Sequence, residues 1–356
     1  MFKAVRRWID RYFSNEEALI LFAFLAITLM VVLTLGGTLG PLFVAIIFAY
    51  LLQGLVNMLV RLGVPQMLAV GIVFALFLGL LFSFVFVLMP LMWTQMATLL
   101  QELPRMLNQG QDLLTGLPQK YPQLISETQL NIWIGEARAQ LGQLGQWLLS
   151  YSLTTLSNIV MAFVYLILVP ILVFFFLKDL GALVGWTSTL LPKKRDLMLK
   201  IWHEMDDQIA NYVRGKGIEI FIVGGVSYIA FELLGLSYAP LLGVLIGLSV
   251  IVPYIGAAVV TIPVLIISGF QWGWSSEFAY AMVIYAIIQT LDGNLLVPYL
   301  FSEVNKLHPV AIIVAVLFFG GLWGMLGVFF AIPLATLVKA IFNAWPRETP
   351  DVAADI

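Results

Sequence analysis

Runs of about 17 to 26 apolar residues recur along this chain, and each is long enough to cross a hydrocarbon core roughly 30 Å thick as a single helix. No other feature limits the fold so strongly. A chain whose solvent is lipid must satisfy its backbone internally, and helices do this within one segment. Composition agrees: 61% of the 356 residues are hydrophobic and 11% are charged, where soluble chains carry about a quarter charged. The expected fold class is therefore all-α, a polytopic membrane helical bundle. The absence of cysteine excludes disulfides, thiolate metal sites and thiol nucleophiles.

The net charge of −2 conceals a local asymmetry of Lys and Arg, which sets the expected topology. Lys3, Arg6, Arg7 and Arg11 precede an apolar run over 18–35. That run is too long for a signal-peptide core and passes through Gly36-Gly37-Thr38, so it reads as an uncleaved anchor. Two further spans follow, over 41–60 and 65–92, the second ending at Trp93. From 94 to 150 the pattern becomes amphipathic and rich in glutamine, and Pro104, Pro118 and Pro122 break it into pieces. This reads as an extramembrane helical domain facing away from the cytosol. Its leucine-rich, charge-poor faces at 99–114 and 141–148 predict self-association. A span over 153–177 returns to the densest basic stretch, 178–216, which holds Lys178, Lys193, Lys194, Arg195, Lys200, Arg214 and Lys216. Within it Asp196 is expected to cap a helix with Leu197, Ile201, Met205, Ile209 and Tyr212 on one face and Lys200, Glu204, Asp207 and Asn211 on the other. The N-terminus, this loop and the tail 346–356 are expected in the cytosol, with Trp93, Trp147, Trp272 and Trp274 at the opposite interface.

The last third reads as an internal repeat. A span at 218–234 precedes 239–252, the break Pro253-Tyr254-Ile255-Gly256, and 257–270; a span at 278–300 precedes 310–319, Gly320-Gly321, and 325–342. Pro240, Gly256 and Pro263 in one half correspond to Pro309, Gly327 and Pro333 in the other, and the second break is expected over 320–327, with Gly320, Gly321, Gly324 and Gly327 as its hinges. If these are re-entrant hairpins, 218–270 and 278–345 form two inverted units of a transport domain, with the site near their interface. Ordinary Gly-rich packing between full spans is the alternative. The expected organisation is thus N-terminal spans at 1–93, the extramembrane domain at 94–150, a span at 151–177, a cytosolic amphipathic region at 178–217, and the broken-helix domain at 218–345.

Ionisable groups at the centre of a membrane helix cost about 2.5–3.5 kcal/mol on insertion scales. Gln289, Thr290, Asp292 and Asn294 form the strongest polar cluster in an apolar span, two adjacent strips on one side of a helix. They line either a polar pathway or a helix end at the surface, since Pro298, Glu303, Lys306 and His308 follow. Glu219 reads as solvated at a span entrance; Glu232, near the other end of that span, reads as interface or pathway. His203-Glu204-x-x-Asp207 lacks the second histidine of a zinc-protease motif, and Gly215-Lys216 lacks the residues of a phosphate loop. Neither catalysis nor a cofactor or metal is expected, and no nucleic-acid partner.

Three blocks resemble the autoinducer-2 exporter family, the PerM-type permeases. They are Tyr212-Val213-Arg214-Gly215-Lys216; Leu234-Gly235-Leu236-x-Tyr238-Ala239 through Val252-Pro253-Tyr254-Ile255-Gly256; and Gln289-x-x-Asp292-Gly293-Asn294-x-x-x-Pro298 through Leu307-His308-Pro309 to Gly320-Gly321, Gly324, Gly327 and Pro333. Lys216 departs from the usual Gln, and Ala257 stands where Pro is common. The resemblance implies a bacterial inner-membrane exporter of small polar solutes such as the autoinducer-2 furanone, with sodium/proton exchange in some members. It also implies a homopentamer with elevator-like movement of the broken-helix region; the charge distribution places the extramembrane domain in the periplasm. The readings carried forward are a solute exporter, a monovalent cation/proton antiporter titrating at Asp292, and a scaffold or sensor anchored by its spans. Interrupted helices argue against the last, because an anchor has no use for them.

Overall fold

The computed structural model describes residues 16–115, 155–189, 195–301 and 307–344, with Leu191 and isolated positions between 132 and 143. The basic segment 1–15, most of the 94–150 domain, positions 192–194, Glu303, Lys306 and the tail lie outside the described residues, as do the expectations that rest on them. Among the described residues every regular element is helical. In chain order they are α1 (Glu16–Leu35), α2 (Gly40–Arg61), α3 (Gln66–Ser83), α4 (Met89–Thr115), α5 (Thr155–Thr189), α6 (Asp196–Leu233), α7 (Ala239–Ser249), α8 (Ile255–Trp272), α9 (Ser276–Leu291), α10 (Val297–Leu300) and α11 (Pro309–Ala344). Six stretches among the described residues are long and apolar enough to cross a membrane, and large hydrophobic side chains such as Phe221, Met67 and Phe86 point outward, as a lipid-facing surface requires.

Two π-helical turns interrupt the ladder, Phe84–Leu88 between α3 and α4 and Asp292–Leu296 between α9 and α10. Both have the same local cause. Pro90 and Pro298 each stand two residues beyond the π-turn. A proline has no N–H to donate, and its ring collides with the carbonyl four residues back, here Phe86 and Asn294, each at the centre of its π-turn. Widening that turn removes the clash without breaking the helix.

Three apolar clusters organise the bundle. Ala45, Leu52 and Val56 of α2, Ala69, Val73 and Phe77 of α3, and Val169 and Val173 of α5 form an N-terminal core. Val223 and Phe231 of α6, Leu242 and Ile246 of α7, Val264 and Ile267 of α8, and Tyr285 and Ile288 of α9 form a C-terminal one. The two bodies meet where Tyr212, Phe301 and Phe329 cluster against Ile47, Tyr50 and Leu51 of α2, and Tyr50 there donates to the Asp206 carboxylate at 2.5 Å. From the far side α4 reaches the C-terminal body through Gln95, whose Oε1 accepts the Leu241 N–H at the start of α7, and through Glu102, which accepts from the Tyr238 hydroxyl.

The amphipathic region and the following span form one continuous helix, α6, so no structural boundary falls at residue 217. Arg195, not Asp196, takes the N-cap position, and Asp196 lies in the first turn. Ile201, Met205 and Tyr212 are buried, while Lys200, Glu204, Asp207 and Asn211 are exposed, the two faces read from the sequence.

Each expected broken segment is a pair of helical arms that doubles back. In the first, α7 runs into Pro253 and Tyr254, the latter at φ 63°, before α8. In the second, α11 reverses at Trp323 and Gly324, the glycine at φ 59° and ψ −136°. The second break therefore lies beyond Gly320-Gly321, which remain helical. Trp323-Gly324 breaks where that pair does not because Gly324 holds a left-handed φ, disfavoured for any residue with a Cβ. Gly256 and Gly327 close the two hairpins against the backbones of Ser249 and Phe319. Pro240, Pro298 and Pro309 begin helices, and Pro263 and Pro333 sit inside helices that continue through them. None of the five is a break, because a proline is tolerated in the first turn and its lost bond inside a buried helix is shared by neighbours.

The α6–α7 crossing is held by glycine. A Cβ on Gly247 would fall 2.8 Å from the Ile220 carbonyl oxygen and 3.1 Å from Gly224 Cα. Close backbone approach of this kind is how helices associate in lipid, where no hydrophobic force draws them together. Gly247→Leu is expected to destabilise the protein by about 1–3 kcal/mol through overpacking. A thermal melt of purified protein in detergent checks this, and an unchanged melting temperature would contradict the crossing.

Candidate functional site

A cavity of about 390 Å³ opens where α6, the tip of the first hairpin, the α9–α10 π-turn and both arms of the second hairpin converge. From α6 come Tyr212, Lys216 and Glu219; the first hairpin supplies Ser249 to Tyr254 except Ile251, and Ala257; Gln289, Asp292, Gly293, Val297 and Phe301 face it from the π-turn region; Ile312 and Ile332 close it.

The positions on α6 follow from its pitch. Tyr212, Lys216 and Glu219 are four and three residues apart and share one face. Gly215 lets this face approach α10, because a Cβ there would lie 2.6 Å from the Phe301 ring. Tyr212 packs edge-on to Phe329 at 5.7 Å and tilted to Phe301 at 5.8 Å. Arg214 lies off the cavity with its Cδ against Gly54 of α2.

Lys216 and Glu219 form an ion pair at 2.7 Å with side chains only 5% and 2% exposed. The Lys216 ammonium also donates to the Val250 carbonyl oxygen at 2.7 Å, at the C-cap of α7, and lies 5.3 Å from the centre of the Phe301 ring. It thus meets a carboxylate, the negative end of a short helix and an aromatic face together. Asp292 Oδ1, Gln289 Nε2 and the Tyr212 hydroxyl are shielded from solvent and have no hydrogen-bond partner among the described residues. Behind them Tyr285 donates to the Ala257 carbonyl oxygen and bonds Thr261, tying α8 to α9.

Of the polar cluster read from the sequence, Gln289 and Asp292 line the cavity. Thr290 and Asn294 are exposed and turn back on their own helix, Thr290 onto Ala286 and Asn294 onto Thr290. Helical pitch explains the division, since Thr290 and Asn294 lie roughly 100° or more around the helix from Gln289, on the side away from Asp292. Beyond Asp292 the inward face continues through Gly293, Val297 and Phe301. Glu232 is exposed and, at 1.5 Å per residue, about 20 Å along α6 from Glu219. Glu219 is not solvated at an entrance but sealed in the centre of the site. Its burial is sustained by Lys216 one turn before it, and that i, i+3 pair was the available signal.

Interrupted helices around a cavity that holds a buried ion pair and a further carboxylate, inside a bundle with an apolar exterior, define a multi-pass membrane protein of the solute-transporting kind. The AI-2E family transporter model matches residues 21–347, and the chain belongs to that family. It is 43% identical over 346 residues, 97% of this chain and 98% of the relative, to the Escherichia coli K12 protein named "Putative permease PerM". It is 26% identical over 304 residues, 84% of this chain and 83% of the relative, to the "AI-2 transport protein TqsA" of the same organism. These descriptions, permease and AI-2 transport, favour solute transport over sodium/proton antiport.

Proposed function

We propose that this chain is a secondary transporter that exports a small polar molecule such as autoinducer-2 across a bacterial inner membrane, and that the cavity beside Asp292 is its substrate site. The cavity carries the reading: it is large enough for a small solute, and Asp292, Gln289 and Tyr212 each offer it a polar atom with no hydrogen-bond partner among the described residues. The described relative TqsA supports the choice of solute.

The hairpin arms support re-entrance. The 11 residues of α7 rise about 16 Å, and the first arm of α11, roughly 14 residues, about 21 Å; neither crosses a 30 Å core before the chain turns. Separate cores in the N-terminal and C-terminal bodies support an elevator-like displacement of one against the other. The cytosolic termini, the periplasmic domain at 94–150 and the homopentamer belong to the same proposal and rest on charge distribution and family likeness.

Proteoliposomes loaded with labelled autoinducer-2 test it. Saturable efflux above that of protein-free vesicles is the expected result; efflux equal to the empty control, from protein that remains folded, would reject this solute.

A further inference from the structure

The cation in this cavity is part of the protein. In transporters with discontinuous helices, the C-terminal ends of half-helices and unwound carbonyls commonly coordinate the coupling cation. Here that place is filled. The carbonyl oxygen of Val250, at the C-cap of the short helix α7, accepts from Lys216 Nζ at 2.7 Å, the Glu219 carboxylate lies at 2.7 Å and the Phe301 ring at 5.3 Å.

We propose that the Lys216 ammonium is a tethered replacement for a free monovalent cation, so that this site works without sodium and would acquire a sodium requirement if the ammonium were removed. The inference deepens the transport reading of the cavity and takes its site from it. Charge balance gives the reason. Lys216, Glu219 and Asp292 together carry one net negative charge; without the ammonium two carboxylates would line one cavity beside a helix C-terminus, an arrangement that demands a counter-charge. The groups left behind, two carboxylates, the Val250 carbonyl and the unpartnered Tyr212 hydroxyl, are all hard oxygens suited to an alkali cation. A single positive charge at that point restores the native balance.

A purely structural ion pair predicts something different. Losing Lys216 would then destabilise the protein equally in any salt, and the tether reading alone predicts rescue by a free cation. The experiment uses the full-length protein in detergent, as wild type, Lys216→Gln and Lys216→Gln/Glu219→Gln, melted in graded sodium chloride against choline chloride at constant ionic strength. We expect the melting temperature of Lys216→Gln to rise with sodium to a plateau and not with choline. Wild type and the double variant should be indifferent to the exchange. A Lys216→Gln protein that responds to sodium no more than wild type overturns the proposal, and so does one that fails to fold even in high sodium chloride, since the free cation should then have filled the vacated place. In the proteoliposome assay wild-type flux should persist when choline replaces sodium on both sides; flux lost in choline also overturns it. Absence of flux in every salt would count against the transport reading alone, with the melts still deciding the role of Lys216.

Discussion

Gly256→Ala and Gly327→Ala should each leave little folded protein in the membrane, although each adds one methyl group. A Cβ at Gly256 would fall 1.8 Å from the carbonyl oxygen of Ser249, and one at Gly327 would fall 1.9 Å from that of Phe319. Both obstacles are backbone atoms in the opposite arm of a hairpin, so no rotamer change relieves them. Overpacking usually costs about 1–3 kcal/mol where side chains can give way. Against rigid backbone the loss should reach about 3 kcal/mol or more, a large part of a total stability of roughly 5–15 kcal/mol. Gly225→Ala is the control, because a Cβ there meets nothing within 4 Å. Size-exclusion profiles and melting curves of the three variants make the measurement. If Gly256→Ala and Gly327→Ala match the control, the two arms do not lie together as described.

Asp292→Asn should reduce solute flux by at least about tenfold, equivalent to roughly 1.4 kcal/mol of lost stabilisation along the transport path, with no loss of folded protein. The two halves of this expectation come from one fact. Asp292 Oδ1 has no hydrogen-bond partner among the described residues, so the substitution keeps the shape and breaks no bond that holds the fold. A carboxylate oxygen that is shielded and unpaired costs stability instead of supplying it, and a protein retains such a group where a ligand will meet it. Gln289, one turn earlier on the same lining, gives the corresponding neutral contact. Flux through Asp292→Asn proteoliposomes, normalised to the amount of folded protein, decides the matter. Wild-type flux in that variant would remove Asp292 from the pathway and with it the assignment of the cavity.

The polar cluster at 289–294 was legible because residues of that kind are expensive in an apolar span. Which of its members face inward was not. Gln289 and Asp292 share one strip of the helix and Thr290 and Asn294 the next, and which strip turns inward depends on what packs against it. Within the second break, expected over 320–327, the reversal itself falls at Trp323-Gly324. Gly320-Gly321 is the more conspicuous pair, but glycine permits a reversal without requiring one, and helix geometry persists there until Gly324 takes a left-handed φ.

By itself the sequence determined that the chain is a helical membrane protein, where its apolar runs lie, and which faces of α6 are wet and dry. Each of these is a local property, a matter of run length against bilayer thickness or of period against helical pitch. Tertiary structure alone decided that Tyr212, Lys216 and Glu219 share a cavity with Asp292. They are more than seventy residues from it along the chain, and they meet it because glycine contacts fold two hairpins back on themselves and bring α6 against the π-turn. That meeting turns a lysine at an apparent cytosolic entrance into a buried cation at the end of a short helix. Whether a charge lies in water or in a sealed site depends on what packs around it, and no reading of one segment contains that neighbour.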